Sequence, residues 1–228
     1  MSTSFLPSTE EIALAFADEI ASLGGSVSDS YDDGRRLFMR ATLPPETDVR
    51  PGDTINAGVA LHATGPVVGV YPYTFRRVCT NGAIAAHVTH AKHIARVEVT
   101  TPIHVTVATN EAIRVAVREC AESEAVTAVR DEIVRASMMK AQLMLHVLPL
   151  LSRHPSPLTA EMLRRLTDEF ARAGDDTLYG VMNAITAVAR ETRDPEARWE
   201  LEAYGGGIPA LVRQAPPRPS REQELIAL

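Results

Sequence analysis

Lysine is nearly missing from this chain. Of its 228 residues 23 are basic, and only Lys92 and Lys140 are not arginine. A Walker A loop needs Gly-Lys-Ser/Thr, because backbone amides and the ammonium cradle the phosphates together. Neither lysine here follows a glycine. Gly-x-Gly-x-x-Gly, Gly-x-Ser-x-Gly and His-Glu-x-x-His are absent as well. Nucleotide-driven motors, dinucleotide enzymes and the common serine hydrolases are thereby disfavoured.

Other scarcities bound the class further. Cys79 and Cys120 are the only cysteines, and none of Asn56, Asn81, Asn110 and Asn183 begins an Asn-x-Ser/Thr sequon. The expectation is a reduced, cytoplasmic protein with two free thiols. No apolar run reaches 18 residues; the best stretch, 141–151, is broken by Gln142, His146 and Pro149. No membrane association is expected, and the segment Met1 to Glu11 has neither the basic residue nor the apolar core of a signal peptide. Aromatics make up 5% of the chain, so the core must be built from Ala, Val, Ile, Leu and Met.

What is present is unevenly placed. The net charge of −6 divides into −7 over residues 1–33, +4 over residues 34–100 and −3 over the rest. The simplest account is an acidic first helix packed beside a basic sheet.

Periodicity separates two halves. Ser8 and Thr9 followed by Glu10 and Glu11 predict a helix N-terminus, with Ile12, Phe16, Ile20 and Leu23 at helical spacing and Gly24-Gly25 as its stop. From Arg35 onward, extended stretches are punctuated by Pro44-Pro45, Thr64-Gly65-Pro66 and Asn81-Gly82, which predicts an antiparallel meander. Another strand is expected near Ile94 to Thr100, and Pro72 marks an edge position or a bulge. After Pro102 the pattern turns helical. Asn110 is expected to cap one helix, and a second runs from about Val126 to Leu148. His154-Pro155-Ser156-Pro157 reads as a linker, and Thr159 opens a third helix. Asp175-Asp176-Thr177 caps a helix from Leu178 to about Glu191, and Asp194-Pro195 opens one that stops at Gly205-Gly206-Gly207. The expected fold class is α+β: an N-terminal helix and antiparallel β-meander over 1–108, a helical half over 109–213 and a flexible tail over 214–228.

Three local features carry candidate chemistry. His87, His90 and His93, with Cys79 upstream and His104 downstream, offer zinc-type ligands. Their spacing suits a metal poorly, because on a helix His87 and His93 lie about 120° apart and on a strand His90 faces away. Polar or surface histidines are the simpler reading, with a metal-dependent enzyme as the alternative. Cys79-Thr80-Asn81-Gly82 places a thiol at a tight turn. A nearby His could activate it as a nucleophile, but no third member and no oxyanion donor is visible, and a small buried hydrophobe at an Asn-Gly turn is the simpler reading. No catalytic residue and no cofactor is implied.

The third feature is an arginine set, Arg35, Arg36, Arg40, Arg76 and Arg77, interleaved with Phe38, Tyr71, Tyr73 and Phe75. Guanidinium forks bind phosphates and aromatic faces stack on bases, so a sheet carrying both can hold single-stranded nucleic acid. The same arginines could be spent on salt bridges to the acidic first helix. Both readings stand at this level.

The stretch Phe75 to Ile84, FRRVCTNGAI, resembles the phage- and plasmid-borne family called domain of unknown function 932, in which a strand ends in Arg, a hydrophobe and Val-Cys-Ser/Thr-Asn-Gly. The matching positions are Arg77, Cys79, Thr80, Asn81 and Gly82. A second segment, Asp175 to Thr186, is similar to a later family stretch through Asn183 and Thr186. The chain departs from the pattern at Ala83-Ile84-Ala85-Ala86 and after Thr186, where the family's Asp-His is missing. The resemblance implies a setting in mobile elements and in DNA metabolism. The order of helix, meander and helix is also loosely similar to single-strand annealing proteins, a likeness of fold that does not fix function. The expectation is a non-catalytic accessory protein of a mobile element that binds nucleic acid through its basic sheet and forms a homo-oligomer. A protein–protein interaction module is the remaining alternative.

Overall fold

The computed structural model describes residues 7–65, 67–76, 81–84, 92–94, 102–141 and 160–210. Its described elements are α1 (Thr9–Ser22), β1 (Ser26–Asp32), β2 (Arg36–Arg50), β3 (Asp53–Thr64), β4 (Val67–Arg76), β5 (Asn81–Ile84), β6 (Lys92–Ile94), α2 (Pro102–Ala121), α3 (Ser123–Met138), α4 (Ala160–Ala173), α5 (Leu178–Glu191) and α6 (Pro195–Gly207). The strands form one antiparallel sheet in the order β1-β2-β3-β4-β5, with β6 also paired to β4. This is the α+β arrangement that the periodicity predicts.

Helix α1 starts as its sequence dictates. The Ser8 side chain accepts from the Glu11 amide, and the Ser8 amide donates to Glu11 Oε2 at 2.8 Å, a complete capping box. The acids of α1 do not turn to the sheet. Glu19 pairs with Arg118 of α2 at 2.7 Å, and Asp18 lies 3.8 Å from Arg114. The expected pairing of an acidic helix with a basic sheet is therefore replaced by a pairing of two helices.

Strand β2 runs through Pro44-Pro45 instead of ending there. Thr42 pairs with Gly58 and Glu46 with Asn56, so three β2 residues between those pairs face Ala57 alone. That bulge houses two residues that have no N–H for the ladder. Gly58 is needed opposite it, since a Cβ there would sit 2.0 Å from the Ala41 carbonyl oxygen. The edge strand or bulge expected at Pro72 is not found, since β4 is an inner strand and Pro72 pairs with Val59 in unbroken register. The proline falls between the β4 residues paired to β6 (Val68 to Val70) and those paired to β5 (Tyr73 to Arg76). Strand β1 has no hydrophobic alternation to announce it and is an exposed edge strand.

Period-two alternation divides the sheet into two covered faces. Leu37, Met39, Val59, Leu61, Val68 and Val70 bury under α1 and α2, against Phe16, Ile20, Ile113 and Val117. Phe38, Ala60, Tyr71 and Tyr73 bury on the opposite face under Trp199 of α6. A third core joins Val49, Ile55 and Ala83 of the sheet to α3, α4, α5 and α6. Helix α2 begins at Pro102, so Asn110 is an interior residue and the boundary expected at 108/109 falls inside a helix. Proline suits a first helical position, where its missing N–H costs nothing. Helix α3 ends at Met138 and does not run on to Leu148: Met139 is extended and Lys140 bridges Thr177, while residues 142–148, the 154–157 linker, residues 95–101 and the tail lie outside the described residues.

Helices α5 and α6 keep the starts read from sequence, with Thr177 and Asp194 as N-caps. The triple glycine does hold the helix end, but all three glycines are helical. Helix α6 continues through Gly207, and Gly206 lets it lie on β5, where a Cβ would come 2.1 Å from the Ile84 carbonyl oxygen. Among the described residues no helix is long and apolar enough to cross a membrane.

Candidate anion-binding cleft

The arginine–aromatic set does not form an open groove. Phe38 and Tyr73 are buried, so no stacking face is offered by either. Arg40 is 2% exposed; it pairs with Glu202 of α6 at 2.6 Å and with Asp29 at 3.1 Å, and lies over the Trp199 ring. Arg36 is held by Asp33 at 2.8 Å, and amide and guanidinium donation from Arg36, with the Arg35 amide, holds the Asp33 carboxyl down at about 2. Arg76 is bidentate to Asp53 at 2.6 and 2.7 Å. Arg35 is exposed beside the β1–β2 turn, and Arg77 lies outside the described residues. Helix α6 covers the face on which Phe38, Arg40 and Tyr73 project, which strand periodicity alone does not show, while Arg36 and Arg76 are taken by the local carboxylates Asp33 and Asp53.

The two motif segments do come together. Asn81 and Gly82 enter β5, paired with Arg76 and Phe75, and β5 packs on α5 and α6. Asn183 and Thr186 are buried on α5, with the Thr186 hydroxyl donating to the Met182 carbonyl at 3.0 Å. Arg77, Cys79, Thr80, His87 and His90 are outside the described residues, and His93 is described only as backbone in β6. Among the described residues no three His, Cys, Asp or Glu side chains are grouped to hold a metal.

Where these segments meet, a cleft of about 430 Å³ opens between the end of β4, the C-terminal part of α4 and the length of α5. Its cations are Arg76, Arg172 and Arg190, from three different elements. Its acids, Glu169 and Asp175, are already engaged. Glu169 holds Arg172, while Asp175 accepts from Arg50 at 2.8 Å and from the Thr177 hydroxyl at 2.6 Å. Arg50, reaching over from the end of β2, also donates to the Ser137 carbonyl at 2.5 Å. Both Arg50 and Arg76 sit over the fully buried Tyr179 ring, at 5.4 and 5.5 Å. Burial there pushes the Tyr179 phenol well above its ordinary range, so it stays neutral. Counting Arg50 and Asp53 with the lining, four guanidiniums stand beside three carboxylates.

The local sequence explains the opening. Gly180, Ala184 and Ala187 recur at helical spacing and keep the cleft side of α5 low, while Asn183 places an amide among them. Sequence reading missed Arg172 and Arg190, because they lie 18 positions apart on different helices and only the packing of α4 on α5 brings them to one opening.

A second polar cluster lies under α6. His62 stacks on Phe38 with centroids 4.7 Å apart and planes at 10°, with Trp199 at 5.2 Å. Its Nε2 is 2.6 Å from the Thr64 hydroxyl and 3.8 Å from Glu196. Burial lowers the imidazole to about 4. Neither cluster has a described counterpart: no family model, curated protein or solved structure matches this chain.

Proposed function

We propose that this chain is a non-catalytic accessory protein of a phage, plasmid or other mobile element, and that it binds nucleic acid at the cleft between α4 and α5. The observation that carries the binding is the convergence of Arg76, Arg172 and Arg190, from three different elements, on one opening. Guanidinium forks match phosphate oxygens, and a cleft of about 430 Å³ has room for an anion beside them. The mobile-element setting rests on the resemblance of the segments ending at Gly82 and Thr186, which border this opening. The reading moves the nucleic-acid contact from the sheet to the helices.

Anisotropy titration with labelled single-stranded DNA over a salt series tests it. Affinity should fall with salt, with a slope of about 0.7 per phosphate neutralised on a single strand. The Arg172→Ala/Arg190→Ala pair should weaken binding and flatten that slope, whereas Arg35→Ala should leave both unchanged. Absence of binding at low salt, or indifference to the double substitution, would overturn the reading.

A further inference from the structure

We infer that β1 is the interface of a homodimer, in which two copies of this chain pair their β1 strands antiparallel about a two-fold axis at Tyr31. Among the described residues β1 is the outermost strand of the sheet and pairs with β2 alone. Edge strands are ordinarily blunted by lysine or proline. Strand β1, Ser-Val-Ser-Asp-Ser-Tyr-Asp, contains neither, and all of its residues except Asp29 are exposed.

The backbone selects the register. The Asp33 amide donates to the Arg36 carbonyl at 3.2 Å, in step with the pairs Tyr31–Phe38 and Asp29–Arg40. Successive residues of an antiparallel strand turn their backbone groups to alternate sides, so the N–H and C=O of Ser30 and Asp32 point away from the sheet. Toward the N-terminus the regular edge goes no further. A register shift between Val27 and Asp29 leaves Ser28 bulged, with its hydroxyl on the Arg40 carbonyl at 3.1 Å. The outward residues are therefore symmetric about Tyr31. Ser30 of each copy exchanges both backbone hydrogen bonds with Asp32 of the other, and Tyr31 meets Tyr31 in the close, non-hydrogen-bonded pair at a Cα separation of about 4.5 Å. Such an interface is self-complementary and closes after two copies.

The side chains agree with that register. Tyr31 is 37% exposed, and its counterpart across the axis covers it. On the same face Asp29 falls opposite Asp33 of the second copy. Neither arrives as a bare charge: Arg198 holds Asp29 at 3.0 Å and Arg36 holds Asp33 at 2.8 Å, so guanidiniums and carboxylates alternate across the seam. On the other face Ser30 falls opposite Asp32, a hydroxyl donor beside a carboxylate acceptor. One Asp32 oxygen accepts from the Gly34 amide at 2.7 Å, and the other is turned to that hydroxyl's side of the pairing. A second copy of β1 supplies every one of these partners at once.

Sedimentation velocity of the full chain, from micromolar to submillimolar concentration and without nucleic acid, reads self-association independently of the cleft. The native chain should pass from monomer to dimer. Ser30→Pro removes an outward N–H that β2 does not use, so circular dichroism should show the fold intact. The same variant should weaken dimerisation at least about tenfold, one hydrogen bond being lost from each copy. Tyr31→Glu, at an exposed position, should do likewise by setting two carboxylates on the axis. Disulfide trapping fixes the register. Tyr31→Cys brings like positions about 4.5 Å apart, within bridging range. Ser30→Cys leaves them offset by about 6.8 Å along the strands as well as apart across them, which is beyond it. Mild oxidation should therefore give a covalent dimer from Tyr31→Cys, and none from Ser30→Cys or from the native chain with its Cys79 and Cys120. A native chain that stays monomeric throughout the range would overturn the inference and leave the edge to a foreign strand or to water. A dimer indifferent to both Ser30→Pro and Tyr31→Glu, or trapped as readily through Ser30→Cys as through Tyr31→Cys, would overturn it equally, because the copies would then meet elsewhere or in another register.

Discussion

Arg40 of β2 and Glu202 of α6 form an ion pair at 2.6 Å with side chains 3% and 2% exposed, across 162 positions of sequence. Burial keeps the Glu202 carboxyl above its ordinary range even with Arg40 and Arg198 beside it. Water is excluded from the pair, so its net worth is small while its disruption is costly. Glu202→Leu alone should destabilise by about 3–5 kcal/mol in urea denaturation, because Arg40 keeps only Asp29. Arg40→Met with Glu202→Leu should recover most of that loss. A double variant as unstable as the single one would show that the pair is worth far more than its desolvation costs.

His62 makes stability depend on acidity. Its folded value of about 4 lies below the ordinary 6.5, so between those two limits the unfolded chain binds the proton and the folded one does not. Stability should therefore fall as pH drops from about 6.5 toward 4, with no contribution at neutral pH. Glu196, whose carboxyl burial holds above its ordinary range, contributes in the opposite direction. Comparing the native chain with His62→Gln isolates the histidine: the variant should lose the steeper part of the decline. Emission from Trp199, the sole tryptophan, should quench over the same titration. Identical pH profiles for the two proteins would contradict the assignment.

Adjacent glycines of α6 should respond with opposite signs. A Cβ on Gly206 meets backbone of β5, so Gly206→Ala must push the helix off the sheet, at a cost of about 1–3 kcal/mol or more. Nothing lies near a Cβ on Gly207, and Gly207→Ala should stabilise by up to about 1 kcal/mol through helix propensity. Thermal melts of the two variants decide it.

Removing the capping hydroxyl tests the first helix. Ser8→Ala should cost about 0.5–2 kcal/mol, while Ser8→Asp should retain most of the stability. Equal losses in both would mean that the box does not set the start of α1.

Local chemistry made the helix starts legible: Ser8, Thr177 and Asp194 are caps by side-chain type, and the structure uses each as such. What depended on partners was not legible. Strand β1 is polar and exposed, and is a strand only because β2 offers it an edge. Pro44-Pro45 looks like a terminator until the ladder is seen to bulge around it. Gly205 to Gly207 reads as a break, yet it is a helical surface made thin to approach β5. The site followed the same rule. Phe38 and Arg40, two apart on β2, share one face, but α6, far along the chain, decides that the face is closed.

That closure also orders events during synthesis. The face carrying Phe38, Tyr71 and Tyr73 has no cover until Trp199 and Glu202 exist, some 160 residues after Arg40 is made. From Tyr73 to Glu202 is 129 residues, so at about 5–20 residues per second those aromatics stay uncovered for roughly 6–26 s. A holdase that favours exposed aromatic strands would meet this chain in that interval, and its dwell should end when α6 emerges.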